Sequence, residues 1–148
     1  MQRITYALRF YRAPKSTEVP SPQATAPSVQ ITSVIGPDGV AATFDAVEGQ
    51  TAVMTNTAVV DHTGQLFFEW GTINFAGEDN TLSFSSIGAG SLLGPPDAEG
   101  FSQGTVMWRV DSGTGTFEAA TGAITSNFLV NLDTDELIDY QFHLIYLP

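Results

Sequence analysis

Glu69 sits in the run Leu66-Phe67-Phe68-Glu69-Trp70-Gly71, and strand alternation puts it on one face with Phe67, Gly71, Ile73 and Phe75. A carboxylate among aromatic and aliphatic side chains loses solvation, which raises its proton affinity and suits it to general acid or base work. Gly71 beside it leaves room for a ligand. If the same face is instead the outer one, Glu69 is an ordinary solvated residue. Arg109, in Val106-Met107-Trp108-Arg109-Val110, is the only basic residue from position 16 to the end of the sequence. A guanidinium there has three uses in chemistry: polarising a carbonyl, binding a carboxylate, or holding Glu69 ionised from across a barrel. Its plainer use is a surface pair with Asp111 or Glu118. Glu69 and Arg109 are the expected catalytic residues.

Around them, Tyr6, Asn74, Asn127 and Tyr140 offer hydroxyl and amide groups, the kind that orient a ligand in an apolar pocket. Phe67, Trp70 and Trp108 offer aromatic wall, although aromatics at strand spacing serve equally well as core. Arg9 shares a face with the small residues Thr5 and Ala7. With Arg3, Arg12 and Lys15 it forms a basic start to the chain, read either as an anion-binding rim or as a counterweight to an acidic body. Arg9, Tyr6, Phe67, Trp70, Trp108, Asn127 and Tyr140 are therefore the expected ligand contacts. His62 and His143 are the only histidines, neither has a partner at ligand spacing, and no zinc or other metal site is expected. His143 alternates with Asp139 and Gln141 opposite the aromatic side of its strand and is a lesser acid–base candidate. The absence of cysteine removes thiolate nucleophiles and disulfides. The sequence carries no nucleophile elbow, phosphate loop or dinucleotide fingerprint, so no cofactor is expected.

These residues must be positioned by strands. Residues 3–11 alternate, with Ile4, Tyr6, Leu8 and Phe10 on one side. Segments 29–35, 40–47, 51–60, 66–75, 81–87, 101–110, 116–132 and 137–147 follow, separated by turn residues such as Gly36-Pro37-Asp38-Gly39 and Asp61-His62-Thr63-Gly64. No stretch has helical spacing with caps. The reading is a single all-β domain over 1–148. Its Pro-rich span 13–28 is a loop or lid, since four prolines disfavour helix and central strand alike. The Gly- and Pro-rich span 88–100 is a second loop. Several strands are apolar on both faces, which favours a closed antiparallel β-barrel of about eight strands, calycin-like, with one face in the lumen.

The chain has 148 residues, 16 acidic against 5 basic, for a net charge of −11. That balance argues against nucleic acid and anionic membranes as partners. No apolar run reaches the ~18 residues of a spanning helix, and the first residues lack a signal-peptide core. A cytoplasmic protein is expected, with a secreted form lacking its signal as the alternative. Charged residues make up only 14% of the chain, which with doubly apolar strands favours a homodimer or homotrimer.

Residues 113–122 read Gly-Thr-Gly-Thr-Phe-Glu-Ala-Ala-Thr-Gly and run on into Ala123-Ile124-Thr125-Ser126-Asn127-Phe128. This stretch resembles the late strand pair of allene oxide cyclase-like and dirigent-like barrels, its glycines serving a tight hairpin and a kinked strand. The resemblance implies an antiparallel barrel of about eight strands, an apolar lumen that takes hydrophobic small molecules, and assembly as dimers or trimers. No catalytic residue of those enzymes is carried over to this sequence.

The expected function is a cofactor-independent isomerase or cyclase acting on a hydrophobic metabolite in the lumen. The alternatives are a carrier barrel without chemistry, as lipocalins are, and a structural oligomer whose lumen is simply filled.

Overall fold

The structure, a computed structural model, describes residues 1–15, 23–77 and 79–148. The described residues form the strands β1 (Gln2–Arg12), β2 (Gln23–Ala26), β3 (Val29–Gly36), β4 (Gly39–Ala46), β5 (Ala52–Val60) and β6 (Leu66–Phe75). After these come β7 (Thr81–Ser86), β8 (Gly90–Leu92), β9 (Phe101–Gly113), β10 (Thr121–Asn131) and β11 (Glu136–Leu147), with one short 3-10 turn at Gly115–Phe117. Eight strands run in the order β10-β11-β1-β2-β5-β6-β7-β9, and pairing of β9 with β10 closes them into an antiparallel barrel.

The long strands β1, β10 and β11 are held in continuous register, Gln2 opposite Leu147 through Arg12 opposite Leu137, and Thr121 opposite Tyr146 through Asn131 opposite Glu136. Period-2 alternation then sends one side chain in two inward. Phe10, Met54, Ile73, Leu82, Phe84, Trp108, Ile124 and Ile145 are fully buried.

Part of the span 13–28 is strand despite its prolines. Gln23–Ala26 is β2, paired with β5 along its length and with β1 through Tyr11 and Thr25. Prolines at 22 and 27 flank these four residues without interrupting them, so every N–H that the ladder needs is present. Positions 16–22 of that expected lid lie outside the described residues. The span 88–100 is likewise not all loop: β8 pairs with β6 and with β9.

β3 and β4 form the hairpin that their turn residues predict, Gly36 facing Gly39, but they make a separate two-stranded sheet outside the ring, resting on it through Phe44 against Tyr140 at 5.3 Å. The place that they would have filled in the ring belongs to β2. Residues 113–122 are also not a plain hairpin. β9 ends at Gly113, the 3-10 turn follows, and β10 begins only at Thr121. This turn folds Phe117 under one end of the barrel, its ring 4.8 Å from that of Phe75. Gly122 has φ +146°, with the Leu144 carbonyl where a side chain would stand, so glycine is required there.

Candidate functional site

The barrel is filled at one end and hollow at the other. At the filled end Tyr6 meets Phe75 edge-on at 6.0 Å and stacks on His143 at 4.5 Å. Phe84 lies on Trp108 at 4.1 Å one layer higher. Above this plug is a cavity of about 240 Å³ that opens at the opposite end. Its walls are apolar: Phe67, Leu92, Phe128, Val130, Leu132 and Leu137. Two strand glycines make space for rings there, Gly90 under Phe67 and Gly104 under Phe128, each where a Cβ would collide with the ring. At the rim Arg12 Nη2 pairs with Asp135 Oδ1 at 2.9 Å, and its Nε donates to the Asp135 carbonyl at 2.9 Å.

The floor of the cavity is polar, with Glu69, Asn56, Ser126 and Asp139. Glu69 points inward because alternation from the inward Phe67 and Ile73 demands it. Its backbone lies between the stretch of β6 that pairs with β7 and the stretch that pairs with β8. Ser86 spans that break: the Glu69 N–H donates to Ser86 Oγ at 2.8 Å, and the same hydroxyl donates to the Glu69 carbonyl at 3.0 Å. The Glu69 carboxyl accepts from Asn56 Nδ2 on one oxygen and from Trp108 Nε1 on the other, at 3.1 Å.

Burial dominates the acidity of Glu69 and pushes its pKa up to about 7, with the negative charge of Asp139 adding to the rise and the Asn56 and Trp108 donors opposing it. Asp139 is 2% exposed. Its oxygens accept from Ser126 Oγ at 2.7 Å and Gln141 Nε2 at 2.7 Å. Burial raises its pKa to about 6 against the pull of those two donors. Gln141 is aimed by His143, whose Nε2 sits 2.9 Å from Gln141 Oε1. The amide oxygen can only accept, so the ring proton is on Nε2. Among the described residues His143 Nδ1 has no partner, and burial depresses the His143 pKa to about 3, which leaves the ring neutral.

Of the residues expected to bind or react, Glu69, Phe67, Tyr6 and Trp108 point into the barrel. Glu69 and Phe67 line the cavity, Trp108 holds Glu69 from below, and Tyr6 belongs to the plug. The other expected residues are on the outer wall. Arg109 is exposed and pairs with Asp111 at 2.8 Å, so it does not share a space with Glu69. Arg9 lies over the Tyr140 ring, 5.7 Å from its centroid. Trp70 is half exposed. Asn127 accepts from Thr105 Oγ1 at 3.2 Å on the barrel surface.

Sequence reasoning did not single out Asn56, Ser126 and Asp139, nor Arg12 as the basic residue of the rim. Of the two faces of the last strand, the one with Asp139, Gln141 and His143 is the inner one. The aromatic face with Tyr140 and Phe142 is the outer one. One signal was available, since Ser126 falls directly opposite Gln141 once β10 and β11 are paired through their turn.

Among the described residues no trio of His, Asp or Glu side chains is placed to hold a metal ion, and no helix is long and apolar enough to cross a membrane. No protein-family model matches the chain, and no curated protein matches it.

Proposed function

We propose that this chain is a cofactor-independent isomerase or cyclase that takes a hydrophobic small molecule into the barrel and works on it with Glu69. The observation that carries the reading is a carboxyl group on the floor of an open, apolar-walled cavity, its proton affinity set by burial near neutral pH. A group titrating near the working pH is present in both forms and both gives and accepts protons efficiently. The likeness of 113–128 to allene oxide cyclase-like and dirigent-like barrels supports the same reading, since those barrels act on apolar molecules in their lumen.

Size narrows the ligand. The cavity equals the liquid volume of about eight waters and lies below the ~300–1,000 Å³ usual for small-molecule sites. A compact ring system fits inside, and a longer ligand protrudes past Arg12 and Leu132. Protein purified from cell extract, examined by native mass spectrometry and then by denaturing extraction, tests the reading. A bound apolar compound that Glu69→Gln protein holds but no longer converts supports it. A compound that leaves unchanged from the parent protein as well establishes the carrier alternative instead.

Association of two or three copies forms part of the proposal. It is supported by the outward Phe68, Trp70, Met107 and Phe142, each about half exposed.

A further inference from the structure

We propose that Asp139 is the second half of an acid–base pair with Glu69, and that the pair moves a proton between two carbons of a small, neutral, unsaturated ketone or aldehyde held between them. This rests on the lumen reading above and names its chemistry. Glu69 is on β6 and Asp139 on β11, four strands apart whichever way the eight-stranded ring is counted. The two carboxyl groups therefore approach one cavity from opposite walls, and both line it. Each is held by two donors, Asn56 and Trp108 on Glu69, Ser126 and Gln141 on Asp139. The donor to Asp139 is itself fixed by His143. A substrate on this floor touches an oriented carboxyl group on either side.

The two sides take different jobs because they do not ionise together. Burial raises both carboxyl groups, and a negative charge on Asp139 raises Glu69 further, so the pair passes through a range with one carboxylate and one carboxylic acid on the floor. In the proposed pair the carboxylate is Asp139 and the acid is Glu69. The other charged or titratable groups facing this space are few. Arg12 of β1 and Asp135 of the β10–β11 turn pair with each other at the rim. His143 on β11 is neutral, and Tyr6 of β1 lies beneath it with its pKa raised by burial.

The reaction balances without a co-reactant. The Asp139 carboxylate takes a proton from the carbon between the carbonyl and an isolated C=C bond. The released C–H pair becomes a new C=C bond as the carbonyl π pair takes the proton of Glu69, giving a dienol. Protonated Asp139 then returns its proton to the far carbon of the diene. The O–H proton goes back to Glu69 as the carbonyl re-forms, and the remaining C=C is now conjugated with it. Both carboxyl groups end as they began. A substrate bearing its own carboxylate is disfavoured, because it brings a further negative charge to a floor whose nearest cation already faces Asp135.

Cyclohex-3-en-1-one, a compact ring of this class, serves as the probe, with conjugation to cyclohex-2-en-1-one followed by ultraviolet absorbance. The parent protein is expected to accelerate conversion with a bell-shaped pH profile, rising as Asp139 ionises and falling as Glu69 does. Asp139→Asn should lower kcat by about 10²–10⁴-fold and abolish the rising limb, the range typical of a lost general base. That variant turns an acceptor into a donor facing Gln141, so Ser126→Ala provides a gentler test. It removes a donor to the carboxylate and should move the rising limb to higher pH. Should Glu69→Gln lose activity while Asp139→Asn and Ser126→Ala keep the parent's rate and profile, the pair is overturned and the Glu69 reading stands. A parent protein that converts none of the probe overturns both.

Discussion

Trp108 Nε1 of β9 donates to Glu69 Oε2 of β6 from 3.1 Å away, over the inner face of the intervening β7. The indole cannot tilt to do anything else. Its face is stacked on Phe84 at 4.1 Å and the residue is 1% exposed. Glu69 thus combines two opposed influences, burial that favours its neutral form and fixed donors that favour its charge. An acid buried with no donors would remain protonated at working pH, and an exposed one would already be ionised.

Trp108→Phe isolates the donor. It retains an aromatic ring against Phe84 and removes one of the two donors to the carboxyl group. The Glu69 pKa should then rise above about 7, as read by carbon NMR of the labelled carboxyl across a pH series, at a stability cost of about 1 kcal/mol. An unchanged or lower value would show that the indole N–H does not act on the carboxylate.

Stability should depend on pH in an unusual direction. Glu69 and Asp139 have folded-state pKa values raised from 4.5 to about 7 and from 3.8 to about 6. The folded chain therefore binds more protons than the unfolded one between about pH 4 and 7, so stability falls as pH rises through that window. Each group contributes on the order of 3 kcal/mol of this loss by linkage. His143 acts the other way, because a folded pKa of about 3 against 6.5 makes stability rise with pH between those values. Two carboxyl groups against one imidazole leave a net fall from about pH 4.5 to 7. Thermal unfolding at stepped pH should show Tm dropping over that range in the parent and a flatter profile in Glu69→Gln. A Tm that climbs through the same range would contradict the burial of these two acids.

Gly104→Ala tests the cavity wall. A Cβ at this position collides with the ring edge of Phe128, and that ring lines the cavity. Phe128 should swing inward, with a modest stability cost of about 1 kcal/mol and at least a tenfold loss in affinity for any lumen ligand. Probe affinity equal to the parent's would mean that the ring moves elsewhere or that the ligand binds elsewhere.

The barrel itself was legible because turn residues and alternation are local signals. Gly36-Pro37-Asp38-Gly39 makes its hairpin as read, and Glu69 falls on the same face as Phe67 and Ile73. Which face turns inward is not a local property. In β11 either Asp139, Gln141 and His143 or Tyr140 and Phe142 had to face out, and hydrophobicity favours burying the aromatics. The opposite arrangement comes with a hydrogen-bonded polar row, from His143 Nε2 through Gln141 to Asp139 along β11 itself and on to Ser126 of β10. The Ser126 donor comes from strand pairing and cannot be read along one segment. Arg109 lies outside the lumen and pairs there with Asp111, two positions along its own strand face.

The same inversion predicts self-association. Phe68 and Trp70 of β6 face out beside Val59 of β5, which is paired with Phe68, and Phe68, Trp70 and Val59 are 54%, 48% and 55% exposed. The β3–β4 hairpin adds a second exposed surface at its tip, Ile35 and Val40, while Phe44 nearer its base packs edge-on against Tyr140 of the barrel at 5.3 Å. A two-stranded hairpin is marginal in water, so covering the tip adds to its stability. Light scattering of the parent at micromolar concentration should give the mass of a dimer or trimer. The double variant Phe68→Ser, Trp70→Ser should shift it to the 15.8 kDa monomer without touching the lumen. Probe conversion should persist in that variant, because both substituted side chains point away from the cavity that holds Glu69 and Asp139. A parent that is already monomeric would mean that these aromatics are tolerated in water and that the outer wall has no partner among its own copies.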